Sequence, residues 1–222
     1  MNINFEQVIS KLDTILARGL SAGIGNRDGM MCIEAALCCA LDLPHGDDPG
    51  CVAASVRAFK IQLNDCAWSS PIARAKGLRN LGIAQLGSRG VVNDDAFRDR
   101  LTFLTITVLI PRLFMRYPWG QTVAQMCAEA KTLAQARAWV AGAAGVAGAV
   151  GTVEAAWVAW AAGRAEVAGA AGAVGIAWAA GTASAQNKNN PVASHPDEFL
   201  LLSADLALQV LKELRSPGAA YV

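Results

Sequence analysis

"MMCIEAALCCAL", residues 30–41, is the stretch on which the predicted fold depends. It is apolar on nearly every side, which is typical of a helix buried at the centre of a protein. Pro44 and Gly46 follow it and end the pattern. We therefore expect a helix over residues 30–41 that is surrounded by other helices.

Amphipathic patterns before and after this stretch predict the surrounding helices. Apolar residues recur at intervals of three and four, and the pairs Asp48–Pro49 and Ser70–Pro71 combine a cap residue with proline, which favours a helix start. The predicted ranges are about 4–18, 48–64, 70–87 and 93–110. Pro111 kinks or stops the last of them. Its β-branched centre, residues 105–110, leaves a strand open as an alternative.

A tract of small residues follows, over about residues 121–185. Every third residue from Trp139 to Ser184 is Gly, Trp, Glu or Ser, and nearly all the positions between them are Ala or Val. Collagen is excluded because the other positions lack proline. We expect one or two long helices that pack closely along glycine and serve as an architectural or oligomerising element. A membrane-inserted hairpin of residues 138–153 and 167–185 is an alternative. A helix needs about 20 apolar residues to span a bilayer, however, and each of these runs barely reaches that length.

The predicted architecture is all-α, a multi-helix bundle with a long Ala/Gly-rich helical segment. We expect an N-terminal helical domain over residues 1–118, the triplet-repeat tract over 119–186, and a linker with a closing helix over 187–222. The 222 residues are enough to bury a full core without a metal or disulfides.

Charge and cysteine content narrow the classes of function. Nineteen basic and eighteen acidic residues nearly cancel, so the composition favours neither nucleic acid nor an acidic membrane as partner. The first residues lack a signal-peptide pattern, which indicates a cytoplasmic protein. The six cysteines are therefore expected to be reduced.

The loop "GIGNRDG", residues 23–29, is the main candidate binding site. Glycines, an arginine and free amides at the start of the next helix suit a phosphate or carboxylate. The loop follows a helix and lacks the P-loop lysine, so no dinucleotide or Walker motif is present and no cofactor is expected. If the second and third helices pack antiparallel, the segment from Asn64 to Ser69 returns to the loop and adds an aromatic ring. The predicted ligand-binding residues, for an anionic or nucleotide-like molecule, are Gly23, Gly25, Asn26, Arg27, Asp28 and Trp68. A tight helix connection is the competing interpretation.

Two chemical alternatives involve cysteine. Cys32, in the first turn after the loop, would be a nucleophile if its pKa were lowered, which indicates a cysteine-dependent hydrolase with His195 as its base. A zinc site would use Cys38 or Cys39 with His45, Cys51 and Cys66, although no paired Cys-x-x-Cys spacing supports it.

Residues 27–65, from "RDGMMC" to "IQLND", together with "SSPIARAKGLRNLGIAQLGS", resemble hypothetical proteins of tailed phages and some bacteria that carry an alanine-rich tail. The resemblance covers about residues 5–116 and implies no established activity. We expect a non-enzymatic cytoplasmic binding or sequestering protein, oligomeric or bound to a protein partner. If a phage encodes it, it would act in the host cytoplasm on a nucleotide-like signal or on a host protein.

Overall fold

The computed structural model of the protein describes residues 3–116, 120–149 and 197–222. These residues form helices and one isolated β-bridge, between Gly25 and Met31, and they contain no strand. The all-α prediction is confirmed. The helices are α1 Phe5–Leu16, α2 Ile33–Ala40, α3 Ala54–Asp65, α4 Pro71–Ala84, α5 Asp94–Leu104, α6 Ile110–Phe114, α7 Gln121–Glu129, α8 Leu133–Ala149 and α9 Glu198–Glu213.

The chain divides into two compact units. The first comprises Met1–Phe97 and Ala207–Val222, and the second comprises Arg98–Leu206. The division therefore falls within α5 and within α9. The domain boundaries predicted after residues 118 and 186 lie outside the described residues.

Helix α2 is the centre of the first unit, as its apolar sequence predicts. All of its residues except Cys39 are buried, and it packs against α1, α3 and α4. It is shorter than the predicted range of 30–41, because Met30 and Met31 pair with the preceding loop instead of entering the helix.

The C-terminal residues complete this first unit. A 3-10 helix, Pro217–Tyr221, packs against α4. The Ser216 hydroxyl donates to the Ala84 carbonyl at 2.6 Å, and the Gly218 amide donates to the Leu86 carbonyl at 2.9 Å. The rings of Phe5 and Tyr221 stack with their centroids 4.4 Å apart.

A predicted helix start is confirmed where the cap residue bonds to an amide of its own helix. Ser70 accepts a hydrogen bond from the Ala73 amide and caps α4, with Pro71 as the first helical residue. The start predicted at Asp48 is wrong, because α3 begins at Ala54. The Asp48 carboxylate instead accepts from the Gly50 amide at 2.9 Å and pairs with arginines.

The second unit contains a widened helical turn. A π-helical turn, Thr105–Leu109, joins α5 to α6, and the Ile110 amide reaches back five residues to the Thr105 carbonyl. The alternative of a strand over residues 105–110 is therefore wrong. Pro111 has no amide hydrogen, so an ordinary α-helical ladder cannot continue through it, which gives a local reason for the wider turn.

The small-residue tract is described only at its start. It forms two helices, α7 and α8, which are separated at residues 130–132. The helix predicted from Trp139 is present up to Ala149. The rest of the triplet repeat lies outside the described residues, and so do the last four residues of the first candidate membrane run and all of the second. None of the helices in the described ranges combines the length and the apolar character that crossing a bilayer requires.

Candidate functional site

The predicted binding loop is a short hairpin, residues 21–31. The Ser21 amide donates to the Met31 carbonyl at 3.1 Å, and the Asn26 amide donates to the Met30 carbonyl at 3.0 Å. At the tip, the Asn26 side chain accepts from the Asp28 amide at 3.0 Å, an Asx turn. The loop therefore has a fixed shape and does not simply connect two helices.

Gly25 is the residue that allows this hairpin to close. Its φ of +68° lies in the left-handed region, and a Cβ atom there would overlap the Met30 carbonyl oxygen. Gly23 also has a positive φ, +64°, but a Cβ at that position would meet no atom of the residues that the structure describes within 4 Å. Gly25 thus serves the close approach of the two hairpin arms.

The end of α3 holds the base of the hairpin. The Asn64 amide nitrogen donates to the Ser21 carbonyl at 2.9 Å, and Asp65 accepts from the Gly23 amide at 2.7 Å. The prediction that Asn64 and Asp65 lie beside the loop is confirmed. Trp68 is 7% exposed, its indole N–H donates to the Leu63 carbonyl at 2.9 Å, and it is absent from the cavity lining given below.

The amides at the start of α2 are not free, contrary to the sequence-based expectation. The Cys32 amide donates to the Ile24 carbonyl, and the Ile33 amide donates to the Asn64 side chain at 3.2 Å. The Glu34 and Ala35 amides donate to the Cys32 sulfur. An anion would have to displace these internal acceptors, so this helix start offers no ready anion site.

A cavity of about 120 Å³ lies beside the hairpin. It is lined by Gly23, Ile24, Cys32, Ile33, Glu34, Asp47, Ile61, Asn64 and Asp65. Three of these lining residues carry carboxylates, and none of them is cationic. The volume is also smaller than that of typical small-molecule sites, which start at about 300 Å³. The cavity therefore suits neither the charge nor the size of a nucleotide.

A buried polar cluster lies behind this cavity. Lys60 Nζ lies 3.2 Å from Glu34 Oε1, and the Gln85 amide donates to Glu34 Oε2 at 3.0 Å. Burial raises the pKa of Glu34 and lowers that of Lys60, although each charge opposes the shift of the other. This cluster was not predicted from the sequence. Its signal was Glu34 itself, the one charged residue of the apolar stretch 30–41.

The thiol of Cys32 lacks the properties of an activated nucleophile. It is 5% exposed, and burial raises its pKa despite the two amides that donate to the sulfur. The lowered pKa that the hydrolase alternative requires of Cys32 therefore gains no support, because desolvation outweighs the helix start. His195, the predicted base, lies outside the described residues.

The cysteines are free thiols, as predicted, and burial dominates their chemistry. Burial raises the pKa of both Cys38 and Cys66 to about 12, which disfavours the thiolate that zinc requires. Among the described residues, no group of three or more His, Cys, Asp or Glu side chains is placed to hold a metal ion. The alternative zinc site of Cys38, His45, Cys51 and Cys66 gains no support from this arrangement.

The outward face of the hairpin is both apolar and charged. Ile24 and Met30 are 46% and 43% exposed, and Arg27 and Asp28 are exposed at the tip between them. The Arg27 guanidinium forms no hydrogen bond or ion pair with any residue in the described ranges.

No family model, curated protein or solved structure matches the chain. The resemblance to phage and bacterial proteins therefore stays a prediction. Any functional assignment depends on the geometry of the described residues.

Proposed function

We propose that the protein is a non-enzymatic binding module that attaches to a protein partner through the hairpin of residues 21–31. The observation that carries this proposal is the pair of large apolar side chains, Ile24 and Met30, exposed on either side of the charged hairpin tip. Apolar side chains that project from a rigid loop are suited to fill pockets in a partner surface.

The internal bonding of the hairpin supports this function. Gly25 closes its arms, and Asn64 and Asp65 fix its base to α3. A loop that is already ordered loses little conformational entropy on binding, so more of the contact energy is available as affinity.

The adjoining cavity favours a protein over the nucleotide-like ligand that the sequence suggested. Its 120 Å³ and its carboxylates disfavour a phosphate-bearing molecule. The exposed side chains of Ile24 and Met30 instead suit apolar pockets on another protein. The partner that fits is a protein with an apolar cleft for Ile24 and Met30 and a carboxylate facing Arg27. The setting that we propose is a host cytoplasm, where a phage-encoded oligomer of this chain would sequester or block a host protein.

The first experiment finds the partner by position. A photo-crosslinking amino acid replaces Ile24 in one protein and the similarly exposed Leu201, in α9, in another. In cells that express each protein, we expect a crosslinked partner from position 24 and not from position 201. Equal crosslinking from both positions, or none from position 24, would contradict the proposal.

The second experiment measures the affinity of purified variants for that partner. Met30→Ser and Arg27→Asp should each weaken binding by about tenfold or more, because a buried apolar side chain or a charged hydrogen bond contributes at least that much. Met126→Ser and Arg112→Asp are the matched controls, since Met126 is 42% exposed and Arg112 is exposed in α6. Hairpin variants that bind as the controls do would exclude this surface.

A further inference from the structure

A second concave site lies where α9 ends, in the part of the chain that belongs to the first unit. This groove has a volume of about 400 Å³ and is lined by Lys212, Arg215, Ser216, Pro217, Ala219 and Ala220. Its volume falls within the range of about 300–1,000 Å³ that is typical of small-molecule sites.

Two cationic side chains line the groove. Lys212 and Arg215 are exposed, and their side chains form no hydrogen bond or ion pair with other described residues. Elsewhere in the first unit, Arg57, Arg79 and Arg89 pair with carboxylates, whereas Arg27 at the hairpin tip does not. Within the described ranges no carboxylate side chain lines the groove, so its two cations are available to an anion from solution.

Arg215 occupies a backbone position that does not require arginine. Its φ is +56°, in the left-handed region that glycine adopts most easily after a helix. The bonds that end the helix are made by the backbone: the Arg215 amide donates to the Lys212 carbonyl and the Ser216 amide to the Leu211 carbonyl. Glycine would make the same bonds with less strain. A cation near a helix C-terminus gains a small dipole stabilisation, and Lys212 already provides one.

We propose that this groove binds an organic phosphate monoester. Lys212 and Arg215 hold the phosphate, whose charge of about −1.5 to −2 at neutral pH matches two cations. Pro217, Ala219 and Ala220 contact the organic group. This site is separate from the hairpin, and it binds whether or not the hairpin has a protein partner.

Calorimetric titration of the full chain with phenyl phosphate tests this proposal. We expect saturable binding that is tighter than for inorganic phosphate, because of the apolar wall, and that weakens as salt is added. Absence of saturable binding by the wild-type protein would overturn the proposal.

The variants separate a ligand role from a structural one. Arg215→Gly should bind phenyl phosphate about tenfold more weakly or worse, while its unfolding midpoint in urea stays equal or rises because glycine relieves the positive φ. Lys212→Gln should weaken binding similarly. Lys76→Gln removes an exposed helical cation outside the groove and should bind as the wild type does.

Binding that is unchanged in both Arg215→Gly and Lys212→Gln would overturn the proposal, as would an equal loss in Lys76→Gln. If Arg215→Gly is less stable than the wild type, the arginine is needed for the helix end. The affinity of Lys212→Gln then decides between a binding groove and a purely structural feature.

Discussion

Glu34 and Lys60 place a carboxylate and an ammonium in the centre of the first unit, where both side chains are fully buried. Removing two charges from water is costly, and an ion pair with one added hydrogen bond from Gln85 recovers only part of that cost. A buried pair of this kind is best understood as fixing how helices align, since a slip of α2 against α3 or α4 would leave a charge without its partner.

Thiol reactivity tests how deeply the cysteines are buried. Native protein at pH 8 should react quickly with a thiol reagent only at Cys39, which is partly exposed. Cys32, Cys38 and Cys66 should react slowly, because they are buried and burial raises the pKa of each. The measurement is the time course of thiol labelling, with mass spectrometry to identify the labelled residue.

Two controls complete this prediction. Cys39→Ser should remove the fast phase, and unfolding in guanidinium should expose all six thiols. Fast and selective labelling of Cys32 would instead restore the cysteine-dependent hydrolase as an explanation.

The stability of the hairpin of residues 21–31 depends more on Gly25 than on Gly23. Gly25→Ala should lower the free energy of unfolding by about 3 kcal/mol or more, because the added methyl overlaps the Met30 carbonyl and the φ is positive. Gly23→Ala has the same backbone penalty without the overlap, so about 1–2 kcal/mol is expected. Urea denaturation of both variants provides the measurement.

A loss of equal size in the two variants would show that the hairpin arms do not approach as closely as described. Gly25→Ala should also weaken binding to the proposed partner at temperatures where the protein stays folded, because it alters the rigid loop. Gly23→Ala is the matched comparison for that second readout.

Local signals in the sequence were enough to predict several helix ends. Ser70 with Pro71 begins α4, Asn93 accepts from the Ala96 amide at 2.9 Å at the start of α5, and Gly19 follows α1 with a φ of +85°. Each of these signals involves residues that lie close together in the sequence. Asp48 failed as a cap because its carboxylate also pairs with Arg89, which is distant in the sequence.

The candidate site could be predicted only in part. The packing of α2 and α3 implied that Asn64 and Asp65 return to the loop, and both do. The sequence could not show that the Asn64 side chain would accept a hydrogen bond from the Ile33 amide, or that Lys60 would pair with Glu34. Both contacts depend on the three-dimensional alignment of helices. Trp68 bonds through its indole to its own chain segment, and its contact with a ligand stays a prediction.

The first unit is built from two stretches of chain, and their junction can be tested. Gly218 lies so close to α4 that a Cβ atom would overlap the Ile83 carbonyl oxygen. Gly218→Ala should therefore lower the free energy of unfolding by about 3 kcal/mol, although the two residues are far apart in the sequence. Hydrogen exchange of the α4 amides should become faster.

Gly142→Ala is the control with the opposite sign. A Cβ atom at Gly142, in α8, meets no atom of the described residues within 4 Å, so alanine should stabilise the protein by about 0.5–1 kcal/mol. Destabilisation by Gly142→Ala, or an unaffected Gly218→Ala protein, would contradict the packing described.

The position of residues 207–222 in the first unit also sets the order in which the protein can mature on the ribosome. Translation proceeds at about 5–20 residues per second. Helices α1 to α4 therefore emerge several seconds before Ser216 and Gly218 can reach them. During that interval the surface of α4 that will receive the C-terminal residues is uncovered. A chaperone that acts on nascent chains can bind this surface.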